Sequence, residues 1–355
     1  MKLVVFGLSI TSSWGNGHAT TYRALLREIN RLGHQIVFLE RDVPWYAAHR
    51  DLLAPTFCVV ELYRDLEDLQ KRFGELVRSA DAVIVGSYVP EGVKLGEWVF
   101  ATTRGVTAFY DIDTPVTFSK LEQADYEYLS PDLIPKYRFY FSFSGGSSLT
   151  RLERQYGSPA ARALYCSADP ELYYPEKIRK RWTLGYLGTY SDDRQPPMNM
   201  LLIRAALRLP MARFAVAGPG YPADIEWPSN VDRTEHLSPA QHRQFYNQQR
   251  FTLNITRVSM RRMGFSPSVR LFEAAACGTP IISDIWEGIE MFFEPGKEII
   301  LVRSTDEIVS VLRDLSDQEC YEIGARARER FLRNHSARHR AIELATSLAE
   351  AGREL

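Results

Sequence analysis

A histidine follows a glycine-containing polar loop near the start of the chain. The apolar segment Lys2–Leu8 leads into the loop Ser9–Gly17, and His18 comes next. Glycine lets the backbone turn sharply and approach a ligand, and a helix beginning here would offer free N–H groups and positive potential. That potential lowers an imidazole pKa and favours the neutral form, which can accept a proton. We therefore expect His18 to be a catalytic base, although a plain turn before a polar helix start would explain the same residues.

Two carboxylates follow the apolar segment that ends at Tyr110. Asp111 and Asp113 stand at the carboxyl end of a predicted strand, where the active sites of α/β proteins lie. Asp113 before Pro115 is typical of a helix N-cap. Asp111 has no capping role and is the better catalytic candidate. An Asp-x-Asp pattern could also hold a divalent cation on a diphosphate, but this would leave the second half of the chain without a function, so we predict no metal ligand.

The segment Gly264–Pro280 combines a helix start, a carboxylate and three consecutive alanines. Ser266 or Ser268 is predicted to cap a helix whose first-turn N–H groups would bind a diphosphate. Glu273 lies about one turn from that start, where a carboxylate could accept hydrogen bonds from two ribose hydroxyls. The competing interpretation is a buried amphipathic helix in which Glu273 pairs with an arginine.

Arginines and glycines elsewhere in the second half fit the same ligand. Arg257 and Arg270 are available to balance phosphate charge. Two predicted strands end in Gly188-Thr189-Tyr190 and Gly218-Pro219-Gly220-Tyr221. We expect Gly188, Tyr190 and Gly218 to lie against a nucleotide, because glycine permits a close approach of the backbone. Turns alone would also explain these glycines.

Strand-length apolar segments alternate with segments of helical periodicity along the chain. The strand candidates are Lys2–Leu8, Gln35–Leu39, Ala82–Gly86, Val106–Tyr110, Phe139–Phe143, Leu184–Leu187, Arg213–Ala217, Phe251–Ile255, Pro280–Ser283 and Glu298–Val302. The alternation predicts two Rossmann-like, doubly wound parallel-sheet α/β domains. Ligands bind beyond the carboxyl ends of such strands, so we expect the two sheets to face a central cleft.

A proline-containing basic segment, Cys166–Arg181, separates the two series of elements and is the best linker candidate. We predict an N-terminal domain in residues 1–165, a second domain in residues 166–335 and a C-terminal helix in residues 336–355. The length of 355 residues fits two domains.

Composition excludes several classes of protein. The chain has 43 Lys and Arg residues against 44 Asp and Glu residues, which is not the charge pattern of a protein that coats duplex nucleic acid. Four cysteines without a Cys-x-x-Cys pair predict reduced thiols and a cytoplasmic protein. No apolar run reaches the roughly 20 residues of a membrane span. We expect no stable membrane insertion, while contact with a membrane surface stays open.

With these residues in view, the chain resembles the GT-B nucleotide-sugar glycosyltransferases, and among them the CgeB-like group, named after a spore maturation protein. The likeness extends weakly over almost the whole chain and is strongest in Ser266–Glu290. That segment contains Arg270-Leu271-Phe272-Glu273-Ala274-Ala275-Ala276-Cys277-Gly278, Ser283-Asp284 and Gly288-Ile289-Glu290. The stretch from Cys166-Ser167-Ala168-Asp169 to Tyr174-Pro175 is similar to the segment by which these enzymes enter their second domain.

The resemblance implies transfer of a sugar from a nucleoside-diphosphate sugar to an acceptor hydroxyl. The nucleotide sugar would be a co-substrate, with no cofactor and no bound metal, because a helix dipole and basic side chains would stabilise the leaving diphosphate. The second domain would hold most of the donor. Glu273 would bind the ribose, and Ser268, Val269 and Arg270 would bind the diphosphate.

The first domain would bind the acceptor, which places Gly17 and Asp113 on the acceptor side. His18 matches a histidine that related inverting enzymes use as their base. The last helix, within Ser336–Glu350, would cross back to the first domain.

The resemblance leaves the sugar, the nucleotide base and the stereochemical outcome open. Many retaining relatives carry a second glutamate eight positions before the ribose-binding one, and Phe265 stands there instead. The acceptor could be a glycan, a lipid-linked sugar, a small molecule, a protein or a nucleic acid. Two other functions stay in view. One is an NAD-dependent oxidoreductase with Glu40 on a ribose, and the other is a non-catalytic two-lobed ligand-binding protein.

Overall fold

The computed structural model describes residues 1–353, so the last two residues of the predicted C-terminal segment lie outside the described residues. The chain divides into two compact units. Unit 1 contains Met1–Cys166 and the chain from Ala337 onward, and unit 2 contains Ser167–Ser336.

Unit 1 contains a parallel sheet, seven-stranded within residues 1–353. Its strands are β1 (Lys2–Gly7), β2 (Gln35–Arg41), β3 (Val59–Tyr63), β4 (Ala82–Gly86), β5 (Val106–Asp111), β6 (Phe139–Ser142) and β7 (Ala161–Ala163). They lie in the order β3-β2-β1-β4-β5-β6-β7. The order reverses direction between β1 and β4, which is the point where doubly wound sheets bind ligands beyond their carboxyl ends.

Seven described α-helices of unit 1 connect or follow the strands of this sheet. They are α1 (Gly17–Arg31), α2 (Pro44–Ala47), α3 (Leu66–Arg78), α4 (Gly92–Thr102), α5 (Thr114–Glu122), α6 (Ser147–Arg154) and α14 (Ala337–Gly352). The last helix packs against α1. The apolar residues Leu344 and Leu348 of α14 are buried in the same core as Leu25 and Ile29 of α1, which ties the end of the chain to unit 1.

Unit 2 repeats the architecture with a parallel sheet that is six-stranded in the described residues. Its strands are β8 (Trp182–Leu187), β9 (Phe214–Ala217), β10 (Val231–Thr234), β11 (Gln249–Asn254), β12 (Ile281–Ser283) and β13 (Ile300–Leu301). The order is β10-β9-β8-β11-β12-β13, so the reversal falls between β8 and β11. The chain enters and leaves unit 2 side by side, because Ala168 forms a bridge with Ser336.

Seven α-helical segments of unit 2 fall within residues 1–353. They are α7 (Gln195–Met198), α8 (Arg204–Arg208), α9 (Pro239–Asn247), α10 (Val258–Met263), α11 (Val269–Ala276), α12 (Thr305–Asp314) and α13 (Asp317–Asn334). Every residue from Arg270 to Ala276 in α11 is buried. α11 packs against α13.

Three edge strands were not predicted. They are β3, β7 and β10, whose sequences VVELY, ARA and VDRT lack a long apolar run. The sequence pattern indicates a helix from Pro115 to Tyr128, but α5 stops at Glu122. Ala124 then adopts a left-handed backbone with φ of 54°, which an α-helix cannot continue through. No helix within residues 1–353 has the length and apolar character needed to cross a bilayer.

Candidate functional site

The amino end of α11 in unit 2 has an unusual cap. Ser268 occupies the N-cap position with an extended backbone, but its side chain makes no capping hydrogen bond. Its hydroxyl donates instead to Oδ1 of Asn254 at 2.7 Å, and the Ser266 hydroxyl donates to the Gly264 carbonyl. Ser268 thus occupies a predicted N-cap position, but its hydroxyl makes no capping hydrogen bond because it donates to Asn254.

This arrangement leaves helix donors available. Within the described residues, the backbone N–H groups of Val269 and Arg270 have no protein acceptor. A helix start with free N–H groups carries partial positive charge and attracts anions. The amino end of α11 can therefore receive a phosphate group without displacing an existing hydrogen bond.

The Arg270 guanidinium lies beside the same helix end. Its Nε donates to the Leu187 carbonyl at 2.5 Å, and its Nη1 donates to Oδ1 of Asn254 at 2.8 Å. The guanidinium also lies over the Tyr186 ring, 4.6 Å from its centroid. Asn254 was not a predicted site residue, yet it holds both Ser268 and Arg270. Its place as the last residue of β11, beside the reversal in strand order, is the signal that would have found it.

The strand-end glycines make a narrow turn next to Arg270. A Cβ atom on Gly188 would come within 2.7 Å of Arg270 Nη2, and one on Gly218 would come within 2.1 Å of the Gly188 carbonyl oxygen. Gly218 also has a φ of 142°, which favours glycine. Tyr221 donates its hydroxyl to the Gly188 carbonyl and packs edge to face on Tyr190 at 5.5 Å. The structure thus brings Gly188, Gly218 and Tyr190 together beyond the carboxyl ends of β8 and β9.

Glu273 is buried deeper in α11, with 3% of its surface exposed. Its Oε1 accepts the Tyr173 hydroxyl at 2.9 Å and its Oε2 accepts the Tyr246 hydroxyl at 2.7 Å. His242 lies 3.8 Å from Oε1. Burial acts to raise the pKa of Glu273, but His242 and the two tyrosine hydroxyls outweigh it and hold the pKa below its usual value. The alternative of an arginine partner is wrong, because the carboxylate is held by tyrosines.

Two further predicted positions lie in the same unit. Arg257 precedes α10 at its N-cap position and is partly buried. Phe265 adopts a left-handed backbone with φ of 46°. Its ring fills the space where a Cβ atom of Gly288 would stand, 2.2 Å from Cδ1. Phe265 therefore packs its apolar ring against the loop at Gly288, at the position where many retaining relatives carry a glutamate.

The His18 imidazole lies at the amino end of α1 in unit 1, one residue after Gly17. Its backbone N–H donates to the Asn16 side chain at 3.1 Å. Burial lowers the pKa of His18 to about 4, so the imidazole is neutral at pH 7. The expected direction of the pKa is confirmed, but the cause is desolvation rather than helix potential. Nδ1 is buried without a hydrogen-bond partner, which leaves Nε2 as the nitrogen able to accept a proton.

The two carboxylates after β5 have different surroundings. Asp111 is fully buried and accepts hydrogen bonds from the Tyr140 and Thr117 hydroxyls and the Asp113 backbone N–H. Burial raises the pKa of Asp111 to about 6, against those three hydrogen bonds. Asp113 is partly exposed. Asp113 occupies the N-cap position of α5 as predicted, but its side chain makes no capping hydrogen bond.

Tyr88 also belongs to this site, although it was not a predicted site residue. It follows β4, across the strand-order reversal from the loop that carries His18. Its hydroxyl donates to Oδ2 of Asp113 at 3.0 Å, and its ring packs edge to face on His18 with centroids 5.2 Å apart. The loops after β1, β4 and β5 therefore place His18, Tyr88 and Asp113 together.

The structure also bears on the alternatives. Glu40, the ribose candidate of a dehydrogenase, is completely buried. It accepts hydrogen bonds from the Ser9 and Thr11 hydroxyls and from the Ile10 and Thr11 backbone N–H groups. Glu40 therefore holds the loop after β1 in place. Within residues 1–353 no group of three or more His, Cys, Asp or Glu side chains is arranged to hold a metal ion.

The two units, each with a doubly wound parallel sheet, match the fold of GT-B glycosyltransferase structures. Solved structures agree. A sucrose-phosphate synthase from Thermosynechococcus elongatus is 13% identical, with a TM-score of 0.71 and full coverage of both chains. Anabaena Alr3699/HepE in complex with UDP and glucose is 13% identical over 99% of this chain and 100% of that chain, with a TM-score of 0.72. An alpha-glucosyltransferase in complex with UDP-glucose and abasic DNA is 12% identical over 98% of this chain and 99% of that chain, with a TM-score of 0.74.

Residues 194–346 match a family model described as glycosyl transferase-like. The matched residues include the predicted site residues Arg257, Ser268, Val269, Arg270 and Glu273. No curated protein gives a significant match to the chain. Neither the family model nor the solved structures favour the dehydrogenase or the binding-protein alternative.

Proposed function

We propose that the protein is a metal-independent glycosyltransferase that moves a sugar from a UDP-sugar to an acceptor hydroxyl. The observation that carries the proposal is the open amino end of α11, where the N–H groups of Val269 and Arg270 are free to bind a diphosphate. The UDP and UDP-glucose bound to the similar structures support the choice of nucleotide.

The donor side of the reaction uses unit 2. The free helix N–H groups and the Arg270 guanidinium surround the position of the diphosphate and stabilise the negative charge that develops as the bond between sugar and phosphate breaks. Gly188 and Gly218 let the backbone come close to the nucleotide. Glu273 accepts hydrogen bonds from the ribose, and Tyr173 and Tyr246 hold its carboxylate in a fixed orientation.

The acceptor side uses unit 1. The acceptor oxygen attacks the sugar carbon, its proton passes to Nε2 of His18, and the nucleoside diphosphate leaves with the bonding electron pair. A pKa near 4 keeps the His18 imidazole unprotonated and ready for this step. The buried Asp111 carboxylate already accepts three hydrogen bonds, which hold the loop after β5. We therefore assign proton acceptance to His18.

Binding of nucleotides tests the proposal. Isothermal titration with UDP, GDP and TDP is expected to show binding of UDP with micromolar affinity, and UDP release from UDP-glucose should persist in EDTA. No binding of any of the three nucleotides would refute the function. A strict need for Mn²⁺ would instead favour a metal held by Asp111 and Asp113.

The enzyme subgroup and the cellular location are part of the same proposal. The run from Arg270 to Gly278 supports a CgeB-like enzyme, and four cysteines that form no disulfide in residues 1–353 support a reducing, cytoplasmic location. The acceptor is left to be found by screening UDP release against saccharides, lipid-linked sugars, peptides and DNA. Assay of the cytosolic and membrane fractions of cells for the tagged protein tests the location.

A further inference from the structure

Tyr88 holds a backbone conformation that its side chain disfavours. Its φ is 64°, in the left-handed region that bulky residues rarely adopt. Glycine would fit this position without strain. Such outliers persist only where surrounding contacts enforce them, and they cluster at functional sites. The contacts made by the Tyr88 side chain therefore indicate what the strained loop achieves.

The hydroxyl of Tyr88 engages the carboxylate of Asp113. The oxygens lie 3.0 Å apart, and Tyr88 is the donor. Burial, followed by the nearby Asp113 charge, raises the pKa of Tyr88 well above its ordinary value, so the phenol keeps its proton and remains a donor. This bond holds one Asp113 oxygen away from the amino end of α5, where an aspartate would ordinarily cap the helix.

The ring of Tyr88 is fixed between two other rings. His18 packs on it edge to face at 5.2 Å, and Tyr128 lies against it at 5.0 Å with a tilt of 37°. The Tyr128 hydroxyl is in turn hydrogen-bonded to Thr117 at 2.9 Å. These contacts define one orientation for the Tyr88 ring and, through it, for the His18 imidazole.

We propose that Tyr88 is a positioning residue for the acceptor hydroxyl. Its hydroxyl orients the Asp113 carboxylate, and its ring orients and desolvates the His18 imidazole, so that both groups face the acceptor. Asp113 accepts a hydrogen bond from a neighbouring hydroxyl of the acceptor, while His18 takes the proton of the attacking hydroxyl. This proposal rests on the proposed glycosyltransferase function and adds to it a residue outside the sequence motifs.

Two substitutions separate the hydroxyl of Tyr88 from its ring. Tyr88→Phe removes the bond to Asp113 and keeps the ring, whereas Tyr88→Asn removes the ring with a residue that tolerates the left-handed backbone. Tyr137→Phe is the matched control, because the buried Tyr137 hydroxyl has no hydrogen-bond partner in residues 1–353. The probe is UDP-glucose, with release of UDP as the activity and UDP titration as the binding measurement.

Tyr88→Phe is expected to lower kcat for UDP release about tenfold with an unchanged Kd for UDP, while Tyr137→Phe changes neither. A wild-type rate in Tyr88→Phe, or a loss of thermal stability alone, would overturn the proposal. Failure of the wild-type protein to bind UDP at all would instead count against the function itself.

A second measurement does not depend on activity. NMR titration of the His18 Hε1 proton should give a pKa near 4 in the wild type and a value shifted toward 6.5 in Tyr88→Asn, because water then reaches the imidazole. The groups facing Tyr88 are Asp113, Asp111 and Tyr128, and Lys120 lies over the Tyr128 ring. All of them are unchanged in this variant. An unshifted His18 pKa would show that the Tyr88 ring does not desolvate His18 and would overturn its positioning role.

Discussion

Asn254 Oδ1 accepts a hydrogen bond from Nη1 of Arg270 at 2.8 Å. The same oxygen accepts the Ser268 hydroxyl at 2.7 Å. One neutral amide at the end of β11 therefore keeps a serine from capping α11 and fixes an arginine beside the uncapped helix end. Both effects raise the positive potential where the diphosphate is proposed to bind.

Asn254→Asp is expected to weaken UDP binding at least tenfold. The new carboxylate would neutralise Arg270 and place a negative charge beside the phosphate position, where a hydrogen bond to a charged group contributes about 1.5–3 kcal/mol. Asn199→Asp is the matched control, since it makes the same charge change at an exposed position of unit 2. Calorimetric titration measures the UDP affinity of both variants. Equal affinity in the two would count against a role of Asn254 in holding Arg270 beside the diphosphate.

Glu273→Gln is expected to remove discrimination for the ribose hydroxyl. The wild-type protein should bind UDP more tightly than 2′-deoxy-UDP, because the carboxylate accepts a hydrogen bond from that hydroxyl. The variant should bind the two nucleotides with similar affinity and should bind UDP about tenfold less tightly than wild type. If the variant kept the full preference for UDP, Glu273 would have no contact with the ribose.

His18→Gln is expected to slow UDP release from UDP-glucose by a factor of about 10²–10⁴, the range for loss of a general base. The Kd for UDP should not change, because the donor is proposed to bind on unit 2. Steady-state kinetics and calorimetry measure the two effects separately. A variant that turned over at the wild-type rate would exclude His18 as the base.

The pH dependence of stability tests the environment of His18. Its pKa is lowered to about 4 in the folded chain from an ordinary value of 6.5. The unfolded chain therefore binds a proton first as the pH falls, so this group has no effect above about pH 6.5 and destabilises the fold between pH 6.5 and 4. The loss at pH 5 is at most about 2 kcal/mol.

Urea unfolding of wild type and His18→Gln at pH 7 and pH 5 isolates this contribution. The variant should gain stability relative to wild type on going to pH 5. Asp111 titrates in the opposite sense, because burial raises its pKa to about 6, but it is present in both proteins and cancels in the comparison. An identical pH dependence in the two proteins would contradict the desolvation of His18.

The predictable part of the site is the part encoded by consecutive residues. The helix start at Ser268 and the position of Glu273 follow from one short segment, and α11 begins where the pattern indicates. The alternating apolar segments likewise predict both parallel sheets. Edge strands β3, β7 and β10 were not predicted, because an exposed edge strand needs no continuous apolar run.

The missed residues depend on contacts between distant segments. Asn254 acts through side chains 14 and 16 residues away, and Tyr88 acts through a residue 25 positions away. Asp113 has every local feature of a cap, yet Tyr88 engages its carboxylate. Local propensity could not reveal this, because the competing donor comes from another loop.

Val269→Pro tests the central claim most directly, because it deletes one helix N–H and little else. Val269 is the first residue of α11, where proline is well tolerated, and Ser268 before it already has the extended backbone that proline requires, with φ of −80° and ψ of 150°. Asp317→Pro at the start of α13, after the similarly extended Ser316, is the control. Calorimetry should show about tenfold weaker binding of UDP to Val269→Pro and unchanged binding to the control. Wild-type affinity for UDP in a folded Val269→Pro protein would contradict the binding of a diphosphate at this helix end.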